Sequence, residues 1–123
     1  MSIAGNGDIK QRLQERFEYV RKGFFPEWDP QGLWKATFDP DRPPRGICLK
    51  YQREIIVSVA GNDDELDRTL IHEICHAHYS NHGLKWQALM IAAAGSARKL
   101  GRNILADDIL FELVRYQITP KIM

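Results

Sequence analysis

The chain has 123 residues, of which 44% are hydrophobic, and a formal net charge of +1. This length and composition predict one domain, residues 1–123, with enough apolar surface to form a core without disulfide staples. The nearly neutral charge gives no overall field that favours nucleic acid or acidic lipid. The sequence contains no apolar run of about 18 residues, so it predicts no membrane span.

The first predicted element is a helix over residues 8–22, which is expected to cover the sheet. Its apolar positions recur every three or four residues, with charged and amide side chains between them. These positions are Ile9, Leu13, Phe17 and Val20. Lys22 and Gly23 provide the cationic last turn and the stop that are typical of a helix C-terminus. The prolines of residues 24–32 predict a loop, and we expect its aromatic side chains to fill the core.

Three short segments are rich in strand-forming residues: 33–38, 46–49 and 53–60. The third is the clearest, because Ile55 to Val57 is a run of β-branched residues that suits a buried sheet position. The connections between the three segments are short, so they predict an antiparallel meander of three strands.

Gly61 ends the predicted sheet, and Asn62 with Glu65 three residues later is a capping-box signature for a helix that runs to about Ser80. Four acidic residues fall in the first turns of this helix, where the helix dipole favours anions. They are Asp63, Asp64, Glu65 and Asp67. This role is favoured over a Ca²⁺ loop, because the glycine and distal glutamate of an EF-hand are not at the required spacing.

The same helix carries the motif H-E-x-x-H at residues 72–76. Successive helical residues are rotated by about 100°, so His76 lies about 40° from His72 and the two imidazoles share one face. Two neutral imidazoles at this spacing can occupy two corners of a tetrahedral Zn²⁺ site. Glu73, at about 100°, flanks the same face and can reach a metal-bound water. The back of the helix is apolar, with Leu66, Leu70, Ile74 and Ala77.

A third histidine, His82, follows the expected end of the helix. Asn81 and Gly83 tolerate a left-handed backbone, so the chain can turn sharply there and carry His82 toward the same metal.

Two more helices are predicted, over residues 84–99 and 106–117, with Gly101 as a C-cap candidate between them. The order of one helix, three strands and three helices predicts an α+β fold. Cys48 and Cys75 form no disulfide framework and lie in apolar surroundings, which predicts buried, reduced thiols in a cytoplasmic protein.

From Gly46 onward, over about two thirds of the chain, the sequence resembles the SprT-like (Spartan-type) zinc metallopeptidase domain. Three stretches carry the resemblance: Gly-Ile-Cys at 46–48 before a hydrophobic strand, Thr-Leu-Ile-His-Glu-Ile-Cys-His-Ala at 69–77, and His-Gly-Leu-Lys-Trp at 82–86. The spacing of the second and third histidines equals that of the metzincins and is shorter than in Spartan-type members with a longer insert. The metzincins are disfavoured, because Tyr79 replaces the glycine of their motif and the sequence shows no Met-turn motif. The Asn-His pair and the aromatic residue that follows it are also similar to a group of small metal-dependent peptidases.

The resemblance implies a minimal zincin fold: an N-terminal helix, a three-stranded antiparallel sheet, the H-E-x-x-H helix and two C-terminal helices. It implies Zn²⁺ as the cofactor and a protein or peptide as the substrate. The implied ligands are His72, His76 and His82, and the implied general base of peptide-bond hydrolysis is Glu73.

Two nearby residues are candidates for supporting roles. Tyr79 falls at about 340° on the helix wheel, on the metal side, and can stabilise the transition state. Thr69, at about 60°, can support the ligands. His78 falls on the apolar flank at about 240° and is interpreted as a core or surface histidine rather than a ligand. An edge strand of the sheet, 46–49 or its neighbour, is expected to pair with the substrate backbone.

Two non-catalytic alternatives stay open from the residues. Cys75, at about 300° on the wheel, can join the histidines in a closed structural zinc site. The second alternative is a DNA-binding module of the same fold. The basic residues near the expected substrate strand are interpreted first as solvated loop charges, and attraction of acidic substrates or nucleic acid is the alternative. They are Arg42, Arg45, Lys50 and Arg53. The sequence indicates no oligomeric state.

Overall fold

The computed structural model describes residues 6–42 and 44–117. In chain order its elements are α1 (Asn6–Phe24), β1 (Lys35–Phe38), β2 (Gly46–Leu49), β3 (Glu54–Val57), α2 (Asp63–His78), α3 (Leu84–Lys99) and α4 (Asn103–Gln117). The predicted α+β class is confirmed. Across the described residues, no helix combines the length and the apolar content that a membrane crossing requires.

The sheet is mixed, with strand order β1-β3-β2, so the predicted antiparallel meander is wrong. β2 and β3 form the expected antiparallel hairpin, but β1 lies parallel to β3. Two parallel strands need a long connection, and here residues 39–53, which include β2, connect β1 to β3. β3 therefore takes the central position, and its side chains Ile55 and Val57 become fully buried. The most β-branched strand occupies the most buried place in the sheet, which hydrophobic burial favours.

The core lies between one face of the sheet and helices α1, α2, α3 and α4. The register pairs Gly46 and Cys48 of β2 with Val57 and Ile55 of β3, so these positions face the same side as the core. The aromatic side chains of residues 24–32 fill the core as expected. Phe24 and Phe25 are buried, and Trp28 packs against the core.

The first turn of α2 shows the predicted capping box. The Asn62 side chain accepts a hydrogen bond of 2.9 Å from the Glu65 N–H, and the Glu65 carboxylate accepts one of 2.8 Å from the Asn62 N–H. These two bonds satisfy backbone donors that the helix itself cannot satisfy. The capping box confirms where the helix begins.

Asp67 has a role beyond the predicted interaction with the helix dipole. It is fully buried and accepts hydrogen bonds from two arginines. Arg16 of α1 donates through Nε at 2.9 Å, and Arg102, in the connection between α3 and α4, donates through Nη1 at 2.5 Å. Arg102 also donates to Asp64 at 2.6 Å. Asp67 thereby links α2 to α1 and to the α3–α4 connection, and fixes the position of α2.

We expect the substitution Asp67→Ala to lower the free energy of unfolding by about 3–5 kcal/mol, since it leaves two largely buried guanidinium groups without their common partner. Asp107→Ala is the matched control, because its ion pair with Arg98 is exposed at the surface and its loss is expected to cost less than about 1 kcal/mol. Urea denaturation of the metal-free proteins measures both effects. Equal midpoints for the two variants would contradict the linking role of Asp67.

Candidate metal centre

Helix α2 presents two of the three histidines. His72 and His76 lie one turn apart, with ring centroids separated by 4.9 Å. This placement follows from the apolar back of the helix, because Leu70, Ile71 and Ile74 are fully buried. Once those side chains face the core, the helical period requires the two imidazoles to face away from it.

His82 is brought to the same place by the turn between α2 and α3. Helix α2 ends at His78, and Tyr79 is already extended, with φ −138°. Gly83 has φ −76°, and Asn81 is not among the positive-φ residues, so the expectation of a left-handed turn here is wrong. The turn is held by side chains instead. Asn81 Oδ1 accepts from the Gly83 N–H at 2.9 Å, and Gln87 Nε2 donates to the His82 carbonyl at 2.8 Å.

The three histidines lie close enough to bind a metal ion. One ring nitrogen of each lies within 4.8 Å of the others, and the Nε2 atoms of His76 and His82 are 2.9 Å apart. A tetrahedral Zn²⁺ with N–Zn distances of about 2.05 Å separates its ligand nitrogens by about 3.3 Å. Small side-chain rotations therefore suffice to seat such an ion.

Two of the rings are oriented by acceptors on their outer sides. His72 Nδ1 lies 2.6 Å from Glu112 Oε2, and His76 Nδ1 lies 3.0 Å from the Tyr79 carbonyl oxygen. Both partners can only accept, so each Nδ1 carries the proton and each Nε2 lone pair points to the centre of the cluster. Burial lowers the pKa of His76 and His82, which favours the neutral form that binds metals.

Aromatic side chains support the cluster. Trp86 is fully buried and contacts all three imidazoles, with ring centroids 4.9 Å from His72, 5.3 Å from His76 and 4.6 Å from His82. Tyr116 also stacks on His82 at 4.1 Å, and its ring packs edge-on against Trp86 at 5.3 Å. His82 lies outside any helix, and its ring is packed against these two adjoining aromatic side chains.

Glu73 lies beside the cluster at the closest approach of α2 and β2. A Cβ atom at Gly46 would lie 2.8 Å from Thr69 Cγ2 and 3.2 Å from Glu73 Oε2, so glycine is needed to let the strand approach the helix. Glu73 is 6% exposed. Burial raises its pKa to about 7, with a further rise from Glu112 and an opposing effect of His72.

Thr69 contributes to this same contact. Its methyl group faces Gly46, and its hydroxyl donates to the Glu65 carbonyl at 3.1 Å. Its supporting role is therefore in the packing of α2 against β2. Within residues 6–42 and 44–117, the Thr69 side chain makes no hydrogen bond to a histidine.

The other residues that the sequence singled out lie outside the cluster. Cys75 is fully buried in the core, and Cys48 is half-buried, so both are free thiols apart from the three histidines. His78 Nδ1 lies 2.9 Å from the Ile74 carbonyl, and its ring packs near Phe25 and Trp28. The Tyr79 ring lies 6.3 Å from the His78 ring, and Tyr79 is not among the residues that line the space in front of the three histidines. Its backbone carbonyl contacts His76.

The cluster opens into a cleft of about 550 Å³ between β2, α2 and the C-terminal part of α4. Sequence reasoning missed four residues that line it: Arg68, Glu112, Arg115 and Tyr116. One feature of the sequence could have indicated Glu112. It is adjacent to Leu113, which is buried on α4, and an acidic side chain at the edge of an apolar helix face needs a partner. Burial alone would raise the pKa of Glu112, but His72, Arg68 and Arg115 outweigh it and hold the pKa below its usual value.

Comparisons of this chain with protein families, with curated proteins and with solved structures found no match. The interpretation of the centre therefore depends on its residues and their geometry.

We expect Glu112→Gln to weaken Zn²⁺ binding about 10- to 100-fold. The carboxylate of Glu112 orients His72 and increases the basicity of the imidazole, and an amide lacks the charge to do so. Competition with a chromogenic chelator measures the affinity. Asp107→Asn, an exposed acid on the same helix, is the control and should bind as the wild type does. Loss of binding in His82→Ala would identify the third ligand, whereas unchanged affinities in both Glu112→Gln and His82→Ala would contradict the site.

Proposed function

We propose that the protein is a zinc metallopeptidase of the SprT-like kind, which hydrolyses peptide bonds. The observation that carries the proposal is the convergence of three imidazoles beside a buried carboxylate, on the wall of an open cleft. Three neutral nitrogen ligands suit Zn²⁺, and a three-ligand site leaves one position for water or substrate.

His72, His76 and His82 are the residues that would hold the ion. A bound Zn²⁺ supplies an acidified water and polarises the carbonyl that is attacked. Glu73 follows His72 directly on the cleft side of α2, so its carboxylate can accept the proton of the attacking water and pass it to the leaving amine. The hydrogen bonds of His72 and His76 to Glu112 and the Tyr79 carbonyl keep the ligands in the required tautomer.

The edge of the sheet offers a place for the substrate backbone. Ser58 N–H donates to the Arg45 carbonyl at 2.8 Å. Bonded pairs alternate along an antiparallel ladder, so the backbone groups of Gly46 and Cys48 point away from β3, toward an edge that no described strand covers. An extended peptide can pair there, which brings its backbone next to Glu73.

The structural-zinc alternative finds less support. It requires a fourth protein ligand, and the Cys75 thiol is fully buried among apolar side chains on the back of α2. Among the described residues, only the three histidines form a group of potential ligands. A set of three histidines on the wall of a cleft is typical of a catalytic site, whereas a structural site has four protein ligands.

Glu73→Gln should retain Zn²⁺ and lower kcat/KM about 10²- to 10⁴-fold, because the amide cannot accept the proton of the attacking water. Cleavage of an unfolded protein substrate, followed on gels together with the zinc content of each variant, measures both quantities. Glu18→Gln, at an exposed position of α1, is the control. Full activity in Glu73→Gln would contradict the assigned base.

Tyr116 is our candidate for the second group that stabilises the oxyanion, because it lines the cleft and Tyr79 does not. We expect Tyr116→Phe to lower kcat by up to about 10²-fold, with little change in zinc affinity, since the ring that stacks on His82 is kept. Tyr79→Phe is the matched control and should leave kcat unchanged. Equal kcat values for the two variants would remove Tyr116 from this role.

A further inference from the structure

We propose that the cleft selects acidic peptide segments, with Asp or Glu side chains on both sides of the bond that is cleaved. This inference rests on the proposed peptidase function and adds the class of substrate. It is carried by the placement of four cationic side chains around the cleft.

The cleft is much more basic than the chain as a whole. It holds four of the 17 Lys and Arg residues but only two of the 16 Asp and Glu residues. The four cations are Arg45, Lys50, Arg68 and Arg115. Both acids, Glu73 and Glu112, are already assigned to the site itself. A bound divalent cation would raise the positive potential of the cleft further.

Two of these cations mark the ends of the edge strand. Arg45 precedes β2 and Lys50 follows it. Gly46 faces Thr69, in the N-terminal half of α2, whereas Lys50 Nζ lies 3.2 Å from Ser80 Oγ, just beyond the C-terminal end of that helix. β2 therefore runs along α2 in the same direction, with one cation at each end of the cleft.

The other two cations lie on the helical wall. Arg68 is one turn before His72 on α2, and its Nη1 lies 3.8 Å from Glu112 Oε1. Arg115 is exposed on α4, close enough for its charge to act on Glu112. No ion pair of Arg45, Lys50 or Arg115 occurs within residues 6–42 and 44–117. These three side chains are thus available to an anionic ligand.

The spacing suits a peptide. Four residues of an extended chain span about 13 Å, so a peptide that pairs with the four residues of β2 carries its outer side chains to the two ends of the strand. Carboxylates there can pair with Arg45 and Lys50, and guanidinium groups bind carboxylates in a bidentate manner. The centre of the cleft keeps the backbone contacts that hydrolysis requires.

A nucleic acid is a poorer match for the same cations. Single strands bind along continuous basic grooves in which successive bases stack on aromatic side chains. Tyr116 is the one aromatic residue other than the histidines that lines this cleft in the described part of the chain, and its ring is already stacked on His82. Arg42 and Arg53, which the sequence also suggested, do not line the cleft.

The test uses three peptides of identical length that carry Glu, Gln or Lys at the positions two residues before and after the cleaved bond. We expect kcat/KM to be about tenfold higher for the Glu peptide than for the Lys peptide at low salt, since each exposed ion pair contributes up to about fivefold. The preference should shrink at 0.5 M salt, because screening weakens exposed pairs. The variant with both Arg45→Glu and Arg115→Glu should prefer the Lys peptide.

Arg42→Glu is the matched control. It makes the same change of charge as each of the two cleft substitutions, but Arg42 lies in the loop before β2 and does not line the cleft. It should keep the preference for the Glu peptide. Equal cleavage of all three peptides by the wild type would overturn the inference and leave the peptidase function intact.

A binding measurement separates the two proposals when no peptide is cleaved. Fluorescence anisotropy of the labelled peptides with zinc-loaded Glu73→Gln is expected to show the same order of affinities, Glu above Gln above Lys. That order without any cleavage by the wild type would support the acidic ligand and contradict the peptidase function. Absence of the order, or tighter binding of a single-stranded oligonucleotide than of the Glu peptide, would overturn the inference.

Discussion

The orientation of α2 about its own axis is the constraint on which the rest of this structure depends. Its back must bury Leu66, Leu70 and Ile74, and its first turns must bring Asp67 to two arginines from other parts of the fold. These requirements act at different positions along the helix and agree on one orientation. The two imidazoles and Glu73 are consequently held on the opposite side, where the cleft lies.

The third histidine depends on a different kind of packing. His82 belongs to no helix, and its place is set by the Gln87 hydrogen bond and by the rings of Trp86 and Tyr116. Trp86 is at the third position of α3, Tyr116 is near the end of α4, and the His82 ring that packs against both comes from the turn before α3. The three-histidine cluster therefore depends on the docking of α3 and α4 as much as on the H-E-x-x-H motif.

Local features of the sequence predicted local features of the structure. The helix periods, the capping box at Asn62 and the strand 46–49 depend on neighbouring residues, and they are found where the sequence placed them. Glu112 could not be predicted as the partner of His72, because 40 residues separate them and only the docking of α4 brings them together. The angle assigned to Tyr79 assumed a helix that continues to about Ser80. The helix ends at His78, so the rotation of about 100° per residue no longer applies.

The strand order shows how a non-local feature decides what the site can do. In the predicted meander β2 would be the central strand, and the backbone groups of Gly46 and Cys48 would bond to β1. In the observed order β3 takes the centre, and β2 is left at the edge, next to Glu73. Hydrophobic burial favours this exchange, because β3 carries the larger apolar side chains on the core face, whereas Gly46 leaves room for α2. The same preference that stabilises the core therefore leaves an unpaired strand edge beside the carboxylate, which is the arrangement that the proposed hydrolysis of an extended peptide requires.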